Sequence, residues 1–156
     1  MSCRNVILLL LAVMLFSSCE KNEVSKIPQI VFLQLSPSII KAGRDTAFMQ
    51  FSVRDGDADL GVKPGANKYD IYIKDMRFDS ANFVGYLFPG IDPGILDPAK
   101  GITGTCTFLF IPQLLYPRTD SPRHYKFDTA RFEVYIMDRA GNSSNRIVTD
   151  PLVMQR

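Results

Sequence analysis

The sequence predicts an all-β protein: an immunoglobulin-like or fibronectin-like antiparallel β-sandwich of about seven strands, preceded by a short apolar N-terminal segment. Three observations carry this reading. Apolar and polar residues alternate with period two through most of the chain. Gly, Pro and Asp separate the alternating segments. No long stretch places apolar residues at helical spacing, and 13 Asp against three Glu favours turns over helices.

The N-terminus stands apart from this pattern. Met1 to Asn5 carries one cation, Arg4, and Val6 to Phe16 is an unbroken apolar run. Eleven helical residues rise about 16 Å, roughly half a hydrocarbon core. That is too short to span comfortably but suits the apolar region of an export signal. Ser17 and Ser18 follow, then Cys19. This resembles the lipobox of bacterial lipoproteins, in which the signal peptidase cuts just before a lipidated cysteine; Phe16 departs from it where Leu is commonest. The resemblance implies a cleaved signal over residues 1–18 and a membrane anchor at Cys19. Two acyl chains, at about 0.8 kcal/mol per buried CH₂, give stable anchoring without a spanning helix. Residues 19–28 then read as the lipidated cysteine and a tether, and residues 29–156 as one sandwich domain. With Cys3 in the signal and Cys19 carrying lipid, Cys106 is alone. No internal disulfide is expected, and Cys106 in TCTFLFI reads as a small buried hydrophobe.

The strands follow in order. Ile30 to Leu35 is the first, closed by Ser36-Pro37. Thr46 to Arg54 turns Met49, Phe51 and Val53 one way. Lys68 to Lys74 sets Tyr69, Ile71 and Ile73 against Lys68, Asp70, Tyr72 and Lys74. Asn82 to Phe88 is shorter, and Thr105 to Ile111 is nearly all apolar. Arg131 to Asp138 is the clearest, with Phe132, Val134 and Ile136 inward. Arg146 to Met154 closes the set, and Pro151 predicts an edge position for it. Seven short strands with such loops fit an immunoglobulin-like sandwich.

Two loops stand out: Asp55-Gly56-Asp57-Ala58-Asp59-Leu60-Gly61 after the second strand, and Asp138-Arg139-Ala140-Gly141-Asn142-Ser143-Ser144-Asn145 between the last two. Together they resemble a family of small Bacteroides-group lipoproteins with a single Ig-like domain. In that family a D-G-D-x-D-L-G turn and a D-R-A-G-N-x-S-N turn recur, often with a Thr shortly after, here Thr149. Ala58 stands where Gly is commoner. The resemblance implies fold and location more than activity. Glu20 and Glu23, soon after the cysteine, are also similar to the acidic residues of surface-exported members.

If strands alternate in direction, the second and sixth run the same way and their outgoing loops share one end. Asp55, Asp57 and Asp59 should then lie near Asp138 and Asn142. Calcium takes six to eight oxygens, and alternating aspartates can turn several carboxylates to one point. An EF-hand is excluded, because its sixth position would be Leu60 and its twelfth Ala66. Two readings stand side by side: a calcium site, and ordinary turn chemistry in which Asx side chains cap their own turns. Pro89 to Gly104 should leave at the same end, with Asp92 and Asp97 as further candidates. Tyr116 to Lys126, with Arg118, Arg123, His124 and Lys126, should lie at the other end as a solvated loop.

The net charge of +2 falls to +1 without Arg4, which gives no support for nucleic-acid binding. There is no nucleophile elbow, zinc motif or phosphate-binding glycine loop, and one histidine makes a catalytic triad unattractive. The expectation is a non-catalytic outer-membrane lipoprotein, at the cell surface or periplasmic face, whose module binds or assembles with an envelope protein or glycan. The alternative is a glycan-binding accessory lipoprotein of a polysaccharide-uptake system. There is no Trp, so Tyr72, Tyr86, Tyr116, Tyr125 and Tyr135 would have to serve it.

Overall fold

The computed structural model describes residues 24–61, 68–78, 82–88, 91, 94, 96–117 and 126–156. Cys19 and the signal segment, Asp92, Arg118, Arg123, His124 and Tyr125 lie outside the described residues. Ten strands form in chain order: β1 (Gln29–Ser36), β2 (Ile39–Lys41), β3 (Ala47–Asp55), β4 (Ile71–Asp75), β5 (Val84–Tyr86), β6 (Ile102–Phe110), β7 (Phe127–Ala130), β8 (Phe132–Ile136), β9 (Ile147–Val148) and β10 (Leu152–Gln155). Pro112–Leu114 forms a 3₁₀ turn, and among the described residues no helix is long and apolar enough to cross a membrane.

The strands make the expected β-sandwich. One layer is β1-β3-β6, antiparallel throughout. The other is built from β5-β4-β8-β9 and β2-β10-β7. These two ladders continue one another, because β7 and β8 flank Arg131, and β9 and β10 flank Thr149–Pro151. Between the Glu133–Val148 and Ala130–Leu152 pairs, two residues on one strand face three on the other. Such an insertion is a bulge. Thr149 repairs the ladder there: its N–H donates to the Phe132 carbonyl at 3.0 Å, and its hydroxyl accepts the Phe132 N–H at 3.0 Å. Pro151, which has no N–H to offer, sits in this interruption. The expected edge position is met by β9, the end strand of its ladder, and not by β10, which is flanked by β7 on one side and by β2, in parallel, on the other.

Period-two patterning explains the core. In β3, Ala47, Met49, Phe51 and Val53 point inward; in β8, Phe132, Val134 and Ile136 do. They meet Ile30, Ile71, Ile73, Cys106, Phe110, Leu152 and Met154 in one cluster. Each such large apolar side chain contributes roughly 1.5–3 kcal/mol on burial. Cys106 is a buried member of this cluster, and burial pushes its thiol up to about 11. It stays a protonated hydrophobe at neutral pH. The strand expected from Lys68 begins only at Ile71, and Tyr69 is not inward: it is 54 % exposed, its ring lying across Gly85 of β5.

Candidate cation site

Both prominent loops grow out of inward-facing stripes. In β3 the stripe of Ala47, Met49, Phe51 and Val53 has a fifth member, Asp55, which is 0 % exposed. In β8 the stripe of Phe132, Val134 and Ile136 continues into Asp138, which is 6 % exposed. Each strand thus ends by turning a carboxylate toward the interior. The antiparallel register brings the two ends to one pole of the sandwich, because β3 and β8 run the same way in opposite layers.

Local chemistry shapes the first loop. The Asp59 N–H donates to Asp55 Oδ2 at 3.0 Å, which closes the turn. Ala58 holds a positive φ of 54° and is buried. This is the left-handed region that favours glycine, in keeping with the Gly commoner at this place in the resembling family. Leu60 is driven into the core and pins the loop from the other side. The second loop caps itself. Asn142 donates to both oxygens of Asp138, from its backbone N–H at 2.7 Å and its side-chain amide at 2.8 Å. Gly141, at φ +93°, donates to the Asp138 carbonyl.

The loops are sewn together through Asp59. Its carbonyl accepts the Arg139 N–H at 3.1 Å, and its Oδ2 accepts the Ala140 N–H at 3.0 Å. One carboxylate oxygen from each of Asp55, Asp59 and Asp138 lies within 4.8 Å of the others. Asp57 is partly buried beside them. Its charge, with those of Asp59 and Asp138, acts on Asp55.

The cluster is electrostatically unbalanced. Burial, and then repulsion from Asp57, Asp59 and Asp138, pushes Asp55 up to about 6, although the Asp59 N–H pulls the other way. Asp59 is raised as well, by burial first and then by Asp138 and Asp57; the Ala140 N–H and Arg139 moderate it. Most telling, Oδ1 of Asp55, of Asp57 and of Asp59 is buried without a hydrogen-bond partner. Leaving a buried acceptor unsatisfied costs about 1–3 kcal/mol, and more when it is charged. The Oδ1 atoms of Asp55 and Asp59 belong to carboxylates gathered with Asp138, and they ask for a common partner.

The structure therefore brings Asp55, Asp59 and Asp138 together, with Asp57 nearby as a like charge outside that trio and Asn142 holding Asp138 through its nitrogens. Asp97 is elsewhere: it accepts the Ala99 N–H at 3.0 Å and pairs with Lys100 in its own turn. The segment before β6 does reach this pole, since Ile102 pairs with Asp55. Of the tyrosines, Tyr72 and Tyr135 are cross-strand partners stacked at 4.8 Å, each covering a face of the other. Tyr86 is half-buried against Phe108, and Tyr116 is exposed.

Sequence reasoning missed two features. Asn145 clamps the start of β1, accepting the Ile30 N–H at 2.9 Å and donating to the Ile30 carbonyl at 2.8 Å. Ser144 closes the same loop, its hydroxyl accepting the Ile136 N–H. Much of the D-R-A-G-N-x-S-N pattern is thus structural. Asp70, also buried, accepts the Phe88 N–H and serves no visible part of the cluster. No family model, no curated protein and no solved structure matches the chain.

Proposed function

We propose that the chain is a non-catalytic, lipid-anchored envelope module, a β-sandwich whose acidic pole is held together by a calcium ion. Asp55 carries the reading: a fully buried carboxylate, gathered with those of Asp59 and Asp138, with Oδ1 unsatisfied. Calcium binds oxygens at 2.3–2.6 Å, so ligands around one ion lie no more than about 5 Å apart. The spacing of Asp55, Asp59 and Asp138 falls within that limit. The donors are hard carboxylate oxygens, which suit calcium, magnesium or manganese and not a thiolate- or imidazole-seeking metal. Calcium best suits an irregular set in which water and backbone carbonyls complete the sphere.

The lipobox-like segment ending at Cys19 supports the anchor, and the nearly balanced charge gives no footing for nucleic acid. The partner is then an envelope protein or glycan met at the outer membrane, on its surface or periplasmic face. Calorimetric titration of calcium into metal-stripped protein tests the metal. One saturable event, abolished in Asp55→Asn, is the expected result, and no heat of binding at millimolar calcium contradicts it. Fatty-acid labelling in cells tests the anchor: label lost in Cys19→Ala supports it, and label retained overturns it.

A further inference from the structure

The residue between the first two aspartates of the acidic loop has a second attachment. Gly56 donates its N–H to the Ser25 carbonyl at 2.8 Å. Ser25 belongs to the segment 24–28 that leads into β1, and the first residue of β1, Gln29, pairs with Arg54 of β3. The chain therefore enters the domain at the same pole as the aspartates. The contact is close enough that a Cβ at Gly56 would strike the Val24 carbonyl and lie 2.6 Å from that of Ser25. On the other flank, a Cβ at Gly101 would strike the Asp55 carbonyl and lie 3.0 Å from the Gly56 Cα. The Asp55–Gly56 backbone is gripped between the incoming tether and the turn before β6, with no room for a side chain at either glycine.

We propose that the cation site is also a latch for the N-terminal tether: an ion held by Asp55 and Asp59 fixes the turn between them and orients the Gly56 amide toward Ser25, so that occupancy docks residues 24–28 on the domain. This rests on the cation reading above and adds to it a regulated element. Gly56 lies between Asp55 and Asp59 in the turn that the Asp59 N–H closes on Asp55, so the turn that delivers both carboxylates also sets its N–H direction. Without an ion, buried like charges push the turn open and the tether loses its donor. Coupling of this kind is reciprocal: the docked tether raises calcium affinity by the factor by which calcium favours docking. A lipid-anchored domain would then be held rigidly against its anchor when calcium is present, and swing on a longer leash when it is withdrawn.

Lys26 gives a direct readout, being exposed within the docked segment. A protease must draw several residues around its cut site into extended form, so cleavage there reports the undocked fraction. The test incubates the full chain with a lysine-specific protease that does not itself need calcium, with calcium or with a chelator. Mass spectrometry follows the cut after Lys26, and amide exchange of Gly56 is measured in parallel. We expect calcium to slow both at least tenfold in wild type and to slow neither in Asp59→Asn. In Gly56→Ala the cut should be fast with or without calcium; if that variant does not fold, Gly56 exchange in wild type decides. Should calcium raise the melting temperature while leaving the Lys26 cut and Gly56 exchange unchanged, the latch is overturned and the cation site stands. Should calcium change none of the three, both fall together.

Discussion

The two poles of the sandwich solve the problem of buried acid in opposite ways. At one, Asp75 and Asp128 close on Arg77, whose side chain is only 8 % exposed and also donates to the Tyr116 carbonyl at 3.0 Å. Burial alone would pull this guanidinium down, but the two carboxylates raise it above its ordinary value. The cation is built into the chain. At the other pole, Asp55, Asp57, Asp59 and Asp138 converge, and the near cation, Arg139, donates to the Ala58 carbonyl at 3.4 Å. Here Asp55 and Asp59 gain raised proton affinity in place of an ion pair with a buried cation. Asp70, buried alone, is satisfied by the Phe88 N–H; the comparison teaches that it is clustered Asp that needs a countercharge in this fold. It also suggests that at the second pole the countercharge comes from solution.

The largest effect should come from removing the built-in cation. Arg77→Met removes the guanidinium shared by the partly buried Asp75 and Asp128 and should cost about 3 kcal/mol in urea unfolding, whether or not calcium is present. A loss under 1 kcal/mol would erase the contrast between the poles.

Acidity should separate the poles next. Asp55 in the metal-free fold binds its proton more tightly than in the unfolded chain, with a pKa of about 6 against an ordinary 3.8. Sign follows from linkage: the cluster's contribution is most favourable below pH 4 and is lost as pH rises through about 6. A shift of roughly two units is worth about 3 kcal/mol. In chelator, wild type should therefore lose stability relative to Asp55→Asn as pH rises from 4 to 7, by denaturant midpoints. With saturating calcium the trend should reverse, because the ion binds the deprotonated carboxylates.

Smaller changes sharpen the comparison. Asp57→Asn removes one of the like charges, so in chelator it should raise stability by about 1 kcal/mol while weakening the response to calcium. Loss of stability in chelator would mean that the carboxylate is held by the protein alone. Ala58→Gly should shift the melting midpoint least, within about 1 kcal/mol. Relief of the left-handed backbone is offset by the lost methyl and greater chain entropy.

Much of this was legible in the sequence where periodicity is long. The alternation through Ala47–Asp55 and Phe132–Ile136 gave both core stripes, and the alternating direction of strands brought Asp59 to Arg139 and Ala140 as expected. Extending the parity of Met49, Phe51 and Val53 by one step would also have marked Asp55 as inward. Other features left too little trace. β2 is three residues, and β7 buries only Ala130, so neither offers a period to read. The latch at Gly56, the Asn145 clamp on Ile30 and the Arg77 ion pairs with Asp75 and Asp128 depend on pairings between distant or irregular segments. Tyr69 misled for the same reason: its alternation is real, but the ladder starts only at Ile71.

The measurement that bears most directly on the solution-borne countercharge is thermal unfolding of the protein stripped of metal, repeated with calcium and then with excess chelator. Binding to the native state at 100 times the dissociation constant adds about 2.7 kcal/mol, a shift of several degrees for a domain of this size. The account predicts a rise with calcium that chelator reverses and that Asp55→Asn abolishes, while Arg77→Met keeps it from a lower starting point. An unchanged midpoint in millimolar calcium would contradict it and leave the four aspartates as turn formers whose repulsion the fold simply bears.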